Sequence, residues 1–132
     1  MEVVRRIYEA GTRREGAAVL GLYDVDVEWD ASGSPLGVLE GATVFRGHEG
    51  IREVFRQWYA GWEHVVHDVG EFIDVGEHVV AVGTLRGRGR SSGVDVVWNH
   101  YASTWTLRDG KVVRVAWYAT RGEALEAMGL RE

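Results

Sequence analysis

At residue 64 the hydrophobic pattern of this chain changes period, and that change limits what it can fold into. Before it, His48 to Trp62 places Ile51, Val54, Phe55, Trp58, Tyr59 and Trp62 on one stripe at helical spacing, with charged residues opposite. After it, apolar residues alternate with polar ones through four segments: His64–Asp74, His78–Arg88, Val94–Leu107 and Lys111–Ala119. Turn-forming stretches separate them, namely Val75-Gly76-Glu77, Gly89 to Gly93, and Asp109-Gly110, where a two-residue hairpin needs φ > 0. A helix with so broad an apolar stripe must bury it, and hairpin-linked strands offer the surface. The expectation is an α+β two-layer domain, with helices gathered on one face of an antiparallel sheet.

The remaining segments fit that plan. Residues 2–13 read as a helix with Val3, Val4, Ile7, Tyr8 and Gly11 on one face, and residues 15–23 as a second, shorter one. Val25 to Asp30 alternates as a half-buried strand, Ser32 to Gly37 is a turn-rich loop, and Thr43 to Arg46 is a short strand. Thr120-Arg-Gly-Glu123 is a capping box that opens a last helix through Met128, with Gly129 as its stop. With no internal repeat or linker, residues 1–132 form a single domain.

Composition removes several functions. There is no cysteine, which excludes disulfides, thiolate nucleophiles and Cys-ligated metals. Net charge is −5 with both signs interspersed, and Arg86, Arg88 and Arg90 are the only basic cluster, so no nucleic-acid partner is expected. No segment approaches the roughly 20 apolar residues that cross a bilayer, so no membrane is expected. The start lacks a basic-then-apolar leader pattern, and the expected location is the cytoplasm. Six tryptophans, five tyrosines and three phenylalanines are many for this length. Trp58, Trp62, Trp98, Trp105 and Trp117 exceed what so small a core packs easily, which points to an apolar cavity for a small, flat ligand.

Few side chains offer chemistry. Asp30 ends an alternating strand just after Trp29, and a carboxylate beside an indole and away from water is poised as a general base. The alternative is a solvated strand-end acid. Asn99 and His100 are strand neighbours, so one of them faces the cavity: His100 as a second acid/base group, or Asn99 as an amide for a carbonyl. His64, His67 and Asp68 look ligand-rich, but His64 and His67 are three apart on a strand and face opposite ways, so no metal is expected. His67 alone remains a pocket residue. His48 suits a capping or turn role, and His78 an exposed one. Arg86, Arg88 and Arg90 either meet a substrate carboxylate or phosphate, or form a solvated hairpin or dimer rim. Gly87 and Gly89 lack the strand-then-helix context of a phosphate loop, and no serine elbow, Walker loop or dinucleotide signature occurs, so no cofactor is expected.

The ordered set Leu22-Tyr23, Val27-Glu-Trp-Asp30, Arg46-Gly-His-Glu-Gly-Ile-Arg-Glu53, Arg88-Gly-Arg-Ser-Ser-Gly93, Trp105-Thr-Leu-Arg-Asp-Gly-Lys-Val112 and Glu123-Ala-Leu-Glu-Ala-Met-Gly-Leu130 resembles the SnoaL-like group of the nuclear transport factor 2-like superfamily over nearly the whole chain. The resemblance implies a strongly bent antiparallel sheet wrapped around the long helix as a cone, with two further N-terminal helices and a cavity at the wide end. Polyketide cyclases, ketosteroid isomerases, epoxide hydrolases, dehydratases and binding proteins share this fold, and many are homodimers, so the site must decide the function. Allowing a one-residue gap, Asp30 matches the isomerases' general base, and Tyr8 lies within a residue of their oxyanion tyrosine. Their late-strand acid falls near Ser103, where no acid stands. The epoxide hydrolases' aspartate–arginine–aspartate arrangement is not apparent. The resulting expectation has Asp30 and His100 as catalytic residues. Tyr8, Trp29, Phe55, Trp58, Trp62, His67, Asn99, Tyr101 and Trp117 contact an apolar, carbonyl-bearing small molecule. Isomerisation, cyclisation or dehydration would follow; a non-catalytic pocket or dimeric scaffold is the alternative.

Overall fold

The computed structural model describes residues 2–13, 15–33 and 44–130. It opens with α1 (Glu2–Thr12), followed by a 3-10 helix (Gly16–Leu22) and β1 (Tyr23–Asp30). Then come β2 (Val44–Arg46), α2 (Gly47–Gly61), β3 (Trp62–Val75), β4 (His78–Gly89), β5 (Asp95–Arg108), β6 (Lys111–Tyr118) and α3 (Arg121–Ala127). The change of period at residue 64 is thus a helix running into a strand with no loop between. The expected loop from Ser32 and strand from Thr43 fall partly outside the described residues. The short second helix is of the tighter 3-10 kind, which suits a brief connector.

Six strands form one curved open sheet in the order β2-β1-β6-β5-β4-β3. The hairpins β3–β4, β4–β5 and β5–β6 are antiparallel, as their turns dictate. One ladder departs from the antiparallel expectation: β1 lies parallel to β6, with Trp29 beside Val115. These two strands are distant in sequence, so no hairpin constrains their direction. Register shifts interrupt β3 between Val69 and Glu71, and the β4–β5 ladder between Gly83 and Leu85. Bulges of this kind bend a sheet. At the bend the strands approach so closely that a Cβ on Gly83 would lie 2.4 Å from the Asp68 carbonyl oxygen.

The main core lies between α1, α2 and one sheet face, where Val4, Ile7, Val27, Ile51, Val79, Ala81, Trp105 and Val115 are buried together. Alternate residues of β4, Val80 and Val82, meet Ala124 and Leu125 of α3 on the opposite face. The helices are therefore not all on one face. The reason is written in β4: the unbroken run Val79-Val80-Ala81-Val82 is apolar on both sides and needs cover on both. At the start of α3, Thr120 Oγ1 accepts the Glu123 N–H at 3.1 Å.

Candidate functional site

A cavity of about 100 Å³ lies between α1, α2 and the face of the sheet that they cover. Its helical side carries Tyr8 of α1 and the α2 residues Val54, Phe55, Trp58 and Tyr59, one turn apart along the apolar stripe. Phe55 and Tyr59 are parallel, 5.9 Å apart at 8°. The sheet side carries Trp29, Val65, His67, Tyr101, Trp105 and Trp117. His67, Tyr101 and Trp117, from β3, β5 and β6, have centroids 5.5, 5.1 and 5.7 Å apart and planes within 33° of one another. Three rings all this close cannot form a column, whose outer members would stand roughly twice as far apart. They form an offset, stepped wall.

Among the described residues, no carboxylate, guanidinium or ammonium lines this cavity. His67 is its one basic side chain. Burial pushes the imidazole down from its ordinary 6.5 to about 4, with a small opposing pull from Asp68, so the ring is neutral near pH 7. Neither ring nitrogen is hydrogen-bonded to another described residue. The ring of Tyr8 meets it edge-on, 4.9 Å between centroids at 90°. The Tyr8 hydroxyl lies 2.6 Å from Ser103 Oγ, which also accepts the Trp105 indole N–H at 2.8 Å. Burial raises the pKa of Tyr8 despite these bonds, so its hydroxyl stays protonated. The arrangement is a neutral imidazole packed against the ring of a tyrosine whose hydroxyl stays protonated, both on the wall of an aromatic cavity. One can take a proton, and the other can hold an oxygen.

Seven residues expected at the ligand lie on this wall: Tyr8, Trp29, Phe55, Trp58, His67, Tyr101 and Trp117. Trp62 does not; it covers Gly87 at the far end of β4 and packs against Trp58, 5.4 Å between rings. The two residues expected to be catalytic are also elsewhere. Asp30 sits on the opposite side of β1 from Trp29, ion-paired to Arg114 at 3.3 Å and accepting the Ser32 N–H at 2.9 Å. Strand neighbours point to opposite faces, and Trp29 holds the inward one. The carboxylate serves the sheet rather than the cavity. Asn99 and His100 are both exposed. Gly83 pairs with Tyr101 and Leu85 with Trp98, so Asn99 and His100 together oppose Thr84 alone. This is a bulge, with His100 in the left-handed region at φ 58 and Asn99 accepting from the Thr84 hydroxyl. Period-two counting requires one of the pair to face inward; the extra residue lets both face out.

The other polar candidates have structural partners. His48 donates from Nε2 to the Tyr23 carbonyl at 2.9 Å, tying α2 to β1. His78 is half-buried rather than exposed, with Nδ1 3.0 Å from the Thr106 hydroxyl. Arg86 pairs with Asp68, Arg88 with Glu63 and Asp95, and Arg90 reaches the carbonyls of Ala60 and Trp62 at the end of α2. Trp98 donates to the Ala119 carbonyl and is not among the lining residues. His64 is exposed, and among the described residues no three possible metal ligands stand together. The sequence reading did not single out Tyr23, which also lines the cavity, nor the Ser103–Trp105 contact. The period-two spacing of Ser103 and Trp105 on β5 was the available cue for that pair, whereas the exposed Val25 interrupts the alternation on β1 that would have pointed to Tyr23.

The model of the SnoaL-like domain matches residues 4–115. Among solved structures, a nuclear transport factor 2-like protein of unknown function from Burkholderia pseudomallei is 28% identical with a TM-score of 0.76, covering 89% of this chain and 88% of that one. TerC, co-crystallized with polyporic acid, is 26% identical with a TM-score of 0.75, covering 88% and 87%. A protein from Catenulispora acidiphila with a ketosteroid isomerase-like fold, in complex with trimethylamine, is 19% identical with a TM-score of 0.74, covering 98% and 93%. No curated protein matches the chain at a significant level.

Proposed function

The chain belongs to the SnoaL-like domain family, and from that premise we propose that it is an acid/base enzyme acting on an uncharged, flat or cyclic molecule with a carbonyl group. His67 takes a proton from the carbon beside the carbonyl, and Tyr8 donates a hydrogen bond to the oxygen as negative charge develops there. Return of the proton from His67 to a different carbon gives isomerisation; attack of the enolate carbon on a second carbonyl, whose oxygen takes that proton, gives cyclisation; departure of a β-hydroxyl with that proton, as water, gives dehydration. The observation that carries this reading is the edge-on contact of His67 and Tyr8, 4.9 Å between ring centroids, in a cavity where no other base lines the wall among the described residues.

The depressed basicity of His67 comes from burial, and among the described lining residues none offers an imidazolium a counter-charge. A developing oxyanion at Tyr8 supplies the counter-charge, so proton transfer creates an ion pair instead of an isolated ion. Among the described lining residues a charged ligand finds no ionic partner, which favours neutral substrates. TerC, co-crystallized with polyporic acid, supports a small-molecule occupant for such a cavity.

The test needs no knowledge of the natural substrate. 2-Cyclohexen-1-one in D2O should exchange its enolisable hydrogens for deuterium faster with the protein than without it, followed by proton NMR. His67→Gln should slow the catalysed exchange about a hundredfold, the usual worth of a positioned base. Exchange that is not accelerated, or that survives His67→Gln, would remove the enzymatic reading. The second reading, a non-catalytic binding protein, draws on the presence of a single base and no carboxylate in the lining. It predicts binding of the same ketone without exchange. A cytoplasmic location and a homodimer belong to the proposal as well, the homodimer supported by the exposed Val66 and Val97, which flank Arg86 on the outer sheet face.

A further inference from the structure

Ser103 is fully buried behind Tyr8 and outside the cavity lining, between a group that can only donate and one that can do either. The Trp105 indole has an N–H and no acceptor, so it takes one lone pair of Ser103 Oγ at 2.8 Å. Among the described residues the only other hydrogen-bond partner of the Ser103 hydroxyl is Tyr8 Oη, 2.6 Å away. The serine proton therefore has one place to go. If Tyr8 donated to Ser103 instead, that proton would be buried with no acceptor, an arrangement that folded proteins avoid. Trp105 donates to Ser103, Ser103 donates to Tyr8, and the Tyr8 proton is left for the cavity that Tyr8 lines.

We infer that Ser103 is a positioning residue: its hydroxyl, oriented by Trp105, fixes Tyr8 as a donor toward the ligand oxygen. The inference rests on the reading of Tyr8 given above and adds the device that sets its direction. Each link polarises the next, so the phenol is a stronger donor than it would be alone. The same direction keeps the Tyr8 proton on the ligand side, and His67 is the one basic side chain among the described lining residues.

The probe is 2-cyclohexen-1-one labelled with carbon-13 at the carbonyl, with cyclohexene as its analogue lacking oxygen. Bound to the native protein, the carbonyl carbon should resonate downfield of its position in cyclohexane, because a hydrogen bond draws electron density to the oxygen. Ser103→Ala should lose at least half of that displacement and bind the ketone about fivefold more weakly, the worth of one net hydrogen bond. Cyclohexene should bind both proteins equally. Ser103→Thr, which keeps the hydroxyl, should restore the displacement. Full displacement in Ser103→Ala, no rescue by threonine, or an equal loss of cyclohexene binding would each overturn the inference and leave Tyr8 as a donor. Tyr8→Phe separates the two ideas: full displacement in that variant would overturn the reading of Tyr8 and this inference together.

Discussion

His67 shows how a single side chain acquires chemistry from its position. On β3 its neighbours Val66 and Asp68 turn to solvent, and it turns toward Tyr8, Tyr101 and Trp117. Burial keeps it neutral down to about pH 4. Exchange catalysed by a base of this kind should be level from pH 8 to about pH 5 and fall only as the ring begins to protonate. A decline centred near pH 6.5 would show that the imidazole is in contact with water. Asp30 and His100 provide the contrast, since both are titratable and neither meets the cavity. Asp30→Asn and His100→Gln should leave exchange within about twofold of the native rate, against the hundredfold loss for His67→Gln. A large loss in Asp30→Asn would return that carboxylate to the mechanism. The sequence contains the cue that decides Asp30: it follows Trp29 directly, and both cannot face inward on one strand.

At the scale of elements, interruptions place the site as much as regular structure does. The β5 bulge consumes Asn99 and His100 as one step against β4 and returns Tyr101 to the inward face. The local sequence marks it only weakly, because histidine and asparagine enter the left-handed region more readily than most residues but far less readily than glycine. Opposite it, Gly83 lets β4 pass close under β3. Gly83→Ala should destabilise the fold by about 1–3 kcal/mol, because the new methyl meets the Asp68 carbonyl of the neighbouring backbone and not a mobile side chain. Urea unfolding of the two proteins measures this, and an unchanged midpoint would mean that the two strands part enough to admit the methyl without cost. The other elements were legible. The stripe of α2, the period-two strands, the Asp109-Gly110 turn and the Thr120 cap all appear where local chemistry puts them.

For the whole molecule, the buried imidazole couples the cavity to folding. The unfolded chain binds a proton at His67 near pH 6.5, whereas the folded chain resists it down to about 4. Between those values the unfolded state holds more protons, so stability is full above about pH 6.5 and declines toward pH 4. The loss attributable to this group is up to about 3 kcal/mol. His67→Phe should keep the ring packing and lessen the drop in urea midpoint between pH 7 and 4.5; the same drop in both proteins would assign acid sensitivity elsewhere. The mass in solution checks the outer sheet face, and a value near twice that of the chain is expected. By itself, the sequence determined the α+β class, the element order and the supply of aromatic residues for a cavity, because period, turn residues and caps act over a few positions. Only the tertiary structure decided that His67 is the one basic side chain on the cavity wall among the described residues, that Asp30 and His100 point away, that β1 lies parallel to β6, and that α3 covers the second face. Those outcomes depend on register, bulges and pairings between distant strands, where a shift of one residue reverses every side chain beyond it.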